Sequence, residues 1–278
     1  MPAAVHSLPA GRRGAVEPLL SLRGVVKRYR EGGQELTVLD GVSFELAAGA
    51  GAGVYGARRA GKSTLLRLVA GIEAPDAGAI VFAGRDLTAL SAAGRARLLR
   101  GDLALLCAGG WLASPGETVL DHVAVALGSL GMTLAQARRR ALETLDAVGV
   151  AGLGGERARS LGCYERARVM LARALAREPR LLLVDEPAPL PSVSDREAFC
   201  ALLRALAHER GFALLVASES LSALSGLQAL MSLSAGELCA SERGPYAATA
   251  TATDADAGMD ARAGTVFELR PRRAGASP

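Results

Sequence analysis

A glycine-rich segment near residue 60 carries the clearest chemistry in this sequence. It runs from Gly56 to Ser63 and fits the pattern G-x-x-x-x-G-K-[ST] without a mismatch. A tight loop of this kind, placed between a strand and a helix, points backbone N–H groups at an anion. Lys62 then reaches the β- and γ-phosphates of a nucleotide, and the Ser63 hydroxyl ligates Mg²⁺. The predicted Mg-ATP site comprises Gly56, Ala57, Arg58, Arg59, Ala60, Gly61, Lys62, Ser63 and Thr64.

The alternative explanation is a chance match to this pattern, because the chain contains 33 glycines. The lysine argues against it, because only two of the 32 basic residues are lysines and one of them stands where the motif requires it. This sequence otherwise prefers arginine, but the planar guanidinium group of arginine does not replace the compact ammonium group of lysine.

An acidic segment further along the chain completes the predicted site. The apolar run from Leu181 to Val184 is typical of a strand buried on both faces, and Asp185 and Glu186 follow it. By itself, an apolar run followed by Asp-Glu is more often a strand that simply ends in solvent. Together with the phosphate loop, it predicts that Asp185 ligates Mg²⁺ and that Glu186 orients or deprotonates the attacking water.

The elements that must position these groups alternate along the chain. Apolar runs from Leu22 to about Glu45 predict an antiparallel hairpin-like region, and a strand from Ala52 to Tyr55 feeds the loop. Periodicity and stop signals indicate further helices and strands. The helices are Ser63–Ala70, ending at Gly71, one starting at Thr133, Val169–Ala176 and Ala198–Ala207; the further strands are Leu181–Val184 and Ala213–Ala217. This alternation predicts an α/β fold with a mostly parallel sheet.

The helix that starts at Thr133 has the most detailed signature. Thr133 and Gln136 have capping-box spacing. An apolar face is predicted from residues at helical spacing: Leu134, Ala141, Leu142, Leu145 and Val148.

Composition limits the function classes. A net charge of +4 is too small to argue for nucleic acid, so no nucleic-acid partner is expected. The four cysteines form no C-x-x-C pair, which favours reduced thiols. No apolar run reaches the roughly 18 residues that a membrane span needs, and we expect another polypeptide to supply any such part.

Four segments together resemble the ATP-binding subunits of ABC transporters. They are the phosphate loop, the acidic strand end, GIEAPDAGAIVFAGR at 71–85 and ARVMLARALAREPRLLLVDEP at 167–187. The resemblance extends from about Leu22 to Ala240. The opening YREGGQELTVLDGVSFEL is most similar to the lipoprotein-release and macrolide-export branch.

This resemblance implies a RecA-like P-loop NTPase core, a small N-terminal antiparallel β region and an inserted helical subdomain at about 111–160. The ATP-binding domain would span 21–240, after a flexible lead-in at 1–20 and before a low-complexity tail at 241–278, for which composition predicts disorder. Tyr29 falls where the family stacks an aromatic ring on adenine, and a plain surface tyrosine is the alternative.

The resemblance also implies partners. The expected assembly is a sandwich dimer, either a homodimer or a heterodimer with another ATP-binding subunit. Each ATP lies between the phosphate loop of one subunit and the signature segment of the other. A transmembrane permease would hold the pair peripherally on the cytoplasmic face of the cell membrane.

Several family motifs are altered. LGCYE, from Leu161 to Glu165, stands in place of the signature LSGGQ, and Glu219 stands in place of the histidine that contacts the γ-phosphate. Gly109 replaces a glutamine, and Pro191-Ser192 replaces a Leu-Asp turn. Within the loop, Arg59 replaces a glycine, which costs about 1–2 kcal/mol if that position needs a positive φ.

The altered motifs contact the γ-phosphate or close the dimer, whereas the residues that hold the nucleotide are kept. The sequence therefore predicts an ATP-binding subunit that couples Mg-ATP to a separate permease, with reduced hydrolysis. A near-silent regulatory or structural partner of an intact ABC ATPase is the alternative. A small-molecule kinase is a third, and the helical segment and residues 167–187 argue against it.

Overall fold

The computed structural model describes residues 17–107, 113–114, 116–187, 190 and 192–240 of the 278-residue chain. Ten strands and six α-helices lie in these ranges. The strands are β1 (Leu20–Glu31), β2 (Gln34–Leu46), β3 (Gly51–Tyr55), β4 (Ala77–Phe82), β5 (Arg85–Asp86), β6 (Leu103–Cys107), β7 (Leu181–Asp185), β8 (Ala213–Ser218), β9 (Ala229–Ser234) and β10 (Glu237–Ala240). The helices are α1 (Lys62–Val69), α2 (Ala92–Arg100), α3 (Val119–Ala124), α4 (Leu134–Ala147), α5 (Cys163–Leu175) and α6 (Val193–Arg210).

The N-terminal sheet is antiparallel and has the order β2-β1-β4-β5. Strands β1 and β2 pair from Leu20 opposite Leu46 to Glu31 opposite Gln34, which confirms the predicted hairpin. Gly32 and Gly33 form its turn with φ of 59° and 84°. A two-residue hairpin turn of the favoured twist needs positive φ at both positions, and glycine provides it without strain.

The second sheet carries the predicted α/β core. Its order is β10-β9-β3-β8-β7-β6, and all pairs are parallel except that of β9 with β10. The residues of β8 are all buried, and β7 is buried except at its last residue, Asp185. The carboxyl ends of β3, β7 and β8 therefore meet at one edge, where open α/β sheets bind their ligands.

Two glycines in β3 lie in close contact with neighbouring side chains. Glycine inside a strand usually weakens it, because glycine lacks a side chain to pack. Instead, β3 is paired on both sides, with β8 and β9. A Cβ atom on Gly51 would lie 2.7 Å from Gln228 Oε1, and one on Gly53 would lie 2.8 Å from Leu230 Cδ2. The missing side chains thus let neighbouring side chains approach the strand that feeds the loop.

Helices α3, α4 and α5 pack against one another. The capping box of α4 at Thr133 and Gln136 is confirmed. Ala141, Leu145 and Val148 are buried as predicted, but Leu134 and Leu142 are 64% and 48% exposed, so that part of the prediction was wrong. Leu142 lies away from the buried stripe of the helix, and Leu134 lies in the first turn, where the helix end reaches solvent.

None of the four cysteines, all within the described ranges, is in a disulfide bond. Burial raises the pKa of Cys200 to about 11, so its reactive thiolate form is scarce at neutral pH. Across the described ranges, no helix is both long and apolar enough to cross a membrane. The lead-in before residue 17, the tail from 241, Gly109 and Pro191 lie outside the described residues.

A buried histidine joins α3 to α5. His122 is 1% exposed, with Nδ1 3.1 Å from Glu117 Oε2 and Nε2 3.0 Å from Arg173 Nη1. Because arginine can only donate, Nε2 must accept and Nδ1–H must donate to the carboxylate. Burial lowers the pKa of His122, and the Arg173 charge adds to that shift while Glu117 opposes it. The ring is therefore neutral in the folded protein at physiological pH.

We expect the free energy of unfolding to fall as the pH is lowered through about 6.5, the ordinary pKa of histidine. There the unfolded chain takes up a proton that buried His122 does not, which favours unfolding. Urea unfolding at pH 7.5 and 5.5 measures the drop. The His122→Gln variant keeps a donor and an acceptor without titrating, and its drop should be smaller. An equal drop in both proteins would exclude His122 as the cause.

Candidate nucleotide-binding site

The phosphate loop connects the carboxyl end of β3 to the amino end of α1, as predicted. Gly61 precedes α1 with φ of 102°, and a Cβ on it would lie 2.9 Å from Val38 O. A Cβ on Gly56 would lie 2.6 Å from Leu233 O. Both glycines of the motif are thus required by close backbone approach, which fits a loop whose backbone is shaped as a cradle.

Arg59 lies in the loop with φ of 64°. This position therefore has the positive φ at which a residue other than glycine is strained. The left-handed conformation costs about 1–2 kcal/mol for a residue with a Cβ. Arg58 and Arg59 are both exposed and line the same cavity as Lys62. Their side chains place two positive charges beside a site that would take a polyanion.

Lys62 is the centre of the site. It is 6% exposed, and its Nζ donates to Gly56 O at 2.8 Å and to Ala57 O at 2.9 Å. The same atom lies 3.8 Å from Glu186 Oε1 and 3.8 Å from Glu219 Oε1. A buried ammonium needs such partners, because desolvation of an uncompensated charge is costly. The lysine thus joins the loop to the acidic ends of β7 and β8.

Glu186 follows β7 with φ of 51°, and both of its carboxylate oxygens are engaged. Ser218 Oγ donates to Oε2 at 3.0 Å, and the Glu219 backbone N–H donates to Oε1 at 2.8 Å. The carboxylate is therefore held toward the end of β8. Asp185, the last residue of β7, lies beside Ala217 in the sheet and faces the cavity.

The cavity at this edge has a volume of about 550 Å³. It brings together most of the predicted residues and adds Leu36 and Val38 from β2. The sequence analysis missed these two apolar side chains. Leu36 is 51% exposed. It reaches the phosphate loop only because the hairpin folds over that loop, so the sequence alone carries no signal of this contact. The lining residues are Leu36, Val38, Arg58, Arg59, Ala60, Gly61, Lys62, Ser63, Thr64, Asp185, Glu186 and Glu219.

Tyr29 lies on β1, the strand that pairs with β2, whose Leu36 and Val38 line the cavity. It is opposite Leu36 in the β1–β2 pair, so the two side chains share a face of the hairpin. Its hydroxyl donates to the Glu73 carboxylate, and Lys27 Nζ lies 5.3 Å from the ring centroid. The predicted adenine contact of Tyr29 therefore stays a prediction.

The residues present fit Mg-ATP. The cradle, the buried Lys62 and the hydroxyl of Ser63 are the groups that phosphates and Mg²⁺ require. Among the described residues, no group of three or more His, Cys, Asp or Glu side chains is arranged to hold a metal by itself. Mg²⁺ is usually held by one or two protein groups together with substrate phosphates, and Ser63 and Asp185 line the cavity where such phosphates would lie.

The LGCYE segment begins α5. The Gly162 N–H donates to Glu165 Oε2 at 2.8 Å, so the helix N-terminus is capped by a carboxylate of its own first turn. Tyr164 is held by Arg168, whose Nη2 donates to its hydroxyl at 2.8 Å and whose Cζ lies 4.6 Å from its ring centroid. Both large side chains of the segment are thus tied to α5.

The family profile described as ABC transporter matches residues 39–189, which span the phosphate loop and the acidic strand end. The chain belongs to the ABC transporter family. A relative in this family is the lipoprotein-releasing system ATP-binding protein LolD of Oleidesulfovibrio alaskensis. It is 32% identical over 220 residues, covering 79% of this chain and 95% of the relative. The chain is thus an ATP-binding subunit of the ABC transporter type.

Solved ABC structures share the fold. The dimeric cassette MJ0796 in a post-hydrolysis state bound to ADP and Pi has a TM-score of 0.72 and 23% identity, covering 79% of this chain and 96% of the other. The cbiO1 protein of Clostridium perfringens, part of the ABC transporter complex cbiONQ, has a TM-score of 0.69 and 20% identity, covering 80% and 87%. At these identities the likeness shows the ABC ATPase fold alone.

Proposed function

We propose that this chain binds Mg-ATP in the cavity at the phosphate loop, couples it to a separate membrane permease and hydrolyses it slowly. The observation that carries the proposal is the position of Lys62, buried in a glycine-shaped cradle and flanked by two carboxylates at 3.8 Å each. The cradle supports binding, and the carboxylates support weak turnover.

Binding uses groups that already face the cavity. The loop N–H groups and Lys62 hold the β- and γ-phosphates, and the exposed Arg58 and Arg59 add positive charge at the loop. Bound Mg²⁺ would neutralise phosphate charge, with Ser63 and Asp185 as its protein ligands. The adenine would lie against Leu36, Val38 and Tyr29 at the hairpin, where apolar surface is available.

Slow turnover follows from how the acidic residues are held. Glu186 is the candidate to orient or deprotonate the attacking water, but Ser218 and the Glu219 N–H occupy its oxygens. Glu219 brings a second negative charge where the family places a histidine. Removing one preorganised donor to a transition state reduces the rate by about 10²–10³-fold.

The LGCYE segment supports the same conclusion from the other side of a dimer. In the sandwich arrangement proposed here, the N-terminus of α5 would face the γ-phosphate on the partner subunit. Glu165 accepts the Gly162 N–H and puts a carboxylate at this end of the helix. The segment therefore offers negative charge where a helix N-terminus would otherwise attract an anion.

The proposed partners follow from family membership. The chain would form a homodimer, or a heterodimer with another ATP-binding subunit, and would be held on the cytoplasmic face of the membrane by the permease. Similarity to a lipoprotein-releasing ATP-binding protein at 32% identity supports assignment to the lipoprotein-release and macrolide-export branch. Nucleic acid is not a proposed partner, since the net charge is only +4.

A near-silent partner of an intact ABC ATPase is the second candidate function. Two observations favour it: Glu165 caps α5 and Glu219 lies beside Lys62. In that case one composite site would use the LGCYE segment of this chain, and the other would contain Glu219. Assembly with an intact ATP-binding subunit would then raise turnover through the partner's residues only.

We expect the purified chain to hydrolyse Mg-ATP at less than about 1 s⁻¹, below the ordinary range of enzymes. Phosphate release should be measured with the Lys62→Ala variant as the blank. A rate at or above 1 s⁻¹ that disappears in this variant would refute slow hydrolysis. Repeating the assay with the permease, and then with the permease and an intact ATP-binding subunit, separates the two candidate functions.

A further inference from the structure

Glu219 faces the part of the cavity that a terminal phosphate would occupy. Its side chain is 50% exposed, lines the cavity and has its Oε1 3.8 Å from Lys62 Nζ. A lysine in this motif contacts the β- and γ-phosphates. A third phosphate beside Lys62 would therefore also lie beside the Glu219 carboxylate.

The backbone holds Glu219 in this place. Its own N–H donates to Glu186 Oε1 at 2.8 Å, and the next residue, Ser220, donates its N–H to Ser218 Oγ at 3.1 Å. The strand end is thus fixed by bonds on both sides of Glu219. The side chain starts from a fixed backbone, and Lys62 is its charged neighbour.

Glu186 and Glu219 differ in how their charges are compensated. Ser218 Oγ and the Glu219 N–H donate to the two oxygens of Glu186, which spreads its negative charge over hydrogen bonds. The Glu219 carboxylate has the 3.8 Å contact with Lys62, and it shares that ammonium with Glu186. Because one ammonium lies between two carboxylates, negative charge remains at the end of the cavity that a terminal phosphate would occupy.

We propose that this site binds nucleoside diphosphates more tightly than nucleoside triphosphates, and that Glu219 sets this selectivity. The inference rests on the nucleotide-binding function proposed above. A diphosphate keeps the loop N–H groups, Lys62 and the loop arginines. A triphosphate keeps these groups as well, but its terminal phosphate meets the repulsion of Glu219 at short range.

The repulsion has a second consequence. Mg²⁺ bridges the β- and γ-phosphates and neutralises charge on the terminal one. The difference in affinity between diphosphate and triphosphate should therefore be largest when Mg²⁺ is removed with EDTA. Selectivity that came from the shape of the cavity alone would not depend on Mg²⁺ in this way.

The test is isothermal titration calorimetry of the full chain with ADP, ATP and the non-hydrolysable analogue AMP-PNP, with Mg²⁺ and with EDTA. The Glu219→Gln variant keeps the size of the side chain and removes its charge. Glu209→Gln is the matched control, because Glu209 is exposed on α6 at the opposite end of the sheet. Circular dichroism checks that the variants are folded.

We expect wild type to bind ADP roughly tenfold more tightly than ATP, as one like charge at this range would produce when solvent screens most of the repulsion. Glu219→Gln should tighten ATP and AMP-PNP roughly tenfold and leave ADP nearly unchanged, and Glu209→Gln should change nothing. ATP binding as tight as ADP binding in wild type, or equal gains for both nucleotides in Glu219→Gln, would overturn the inference and leave the proposed function intact. Failure of the folded wild type to bind any of the three would overturn the proposed function itself.

Discussion

Replacing Lys62 with alanine is expected to weaken Mg-ATP binding roughly 100-fold, because charge-assisted hydrogen bonds to phosphate are lost together with the ammonium in the cavity lining. The loss is larger than for an exposed lysine. Lys62 is 6% exposed and compensates Glu186 and Glu219, and without it both carboxylates face the incoming phosphates. Calorimetry with Mg-ATP and Mg-ADP measures the effect.

A matched control for this variant is Arg139→Ala. Arg139 is a cation on the exposed face of α4, its side chain is 81% exposed, and it pairs with Glu143 four residues later. Its removal lowers the net charge by the same amount without touching the cavity, so nucleotide affinity should stay within a factor of about two. Equal affinities for wild type and Lys62→Ala would mean that nucleotide does not bind at this loop.

Restoring the altered family residues is expected to raise turnover roughly 100-fold, the scale of one regained transition-state donor. Glu219→His replaces a carboxylate beside the terminal phosphate with a group able to donate. Changes in the LGCYE segment remove the carboxylate that accepts the Gly162 N–H and clear the bulk of Tyr164. The changes in the segment are Gly162→Ser, Cys163→Gly, Tyr164→Gly and Glu165→Gln.

This multiple variant introduces two glycines into the first turn of α5, each of which destabilises a helix by about 1 kcal/mol. The double variant Glu165→Gln with Glu219→His avoids that loss and should show part of the gain, since such contributions are not additive. Steady-state phosphate release at saturating Mg-ATP measures both variants, and adding Lys62→Ala should abolish the gain. Folded variants that bind ATP but hydrolyse it no faster than wild type would show that these residues do not limit turnover.

The groups that we propose to hold the nucleotide could be located from sequence because their signals are local. The loop motif fixes a strand, a turn with a left-handed glycine and a helix within a few residues, and Gly61 with φ of 102° confirms that geometry. The buried run ending at Asp185 and the capping box at Thr133 are equally local, since neighbours in the chain make the contacts.

Elements with weak local patterns were not predicted. Strands β4, β5, β6, β9 and β10 and helices α2 and α3 were missed by the local patterns, because their form depends on partners far away in the chain. β6, for example, pairs with β7 across an intervening helical region. The helices α5 and α6 were found but are longer than predicted, since their first turns carry polar residues that periodicity alone assigns to loops.

The sequence by itself determined that this chain has a phosphate cradle, an acidic strand end and an α/β core, since each is written in adjacent residues. Only the tertiary structure decided what surrounds the cradle. It placed Glu219 and Glu186 at 3.8 Å from Lys62, turned Leu36 and Val38 toward the cavity and tied Glu186 to Ser218. Parallel pairing of β3, β8 and β7 brings Lys62, Glu186 and Glu219 to one sheet edge, and no local pattern encodes that meeting.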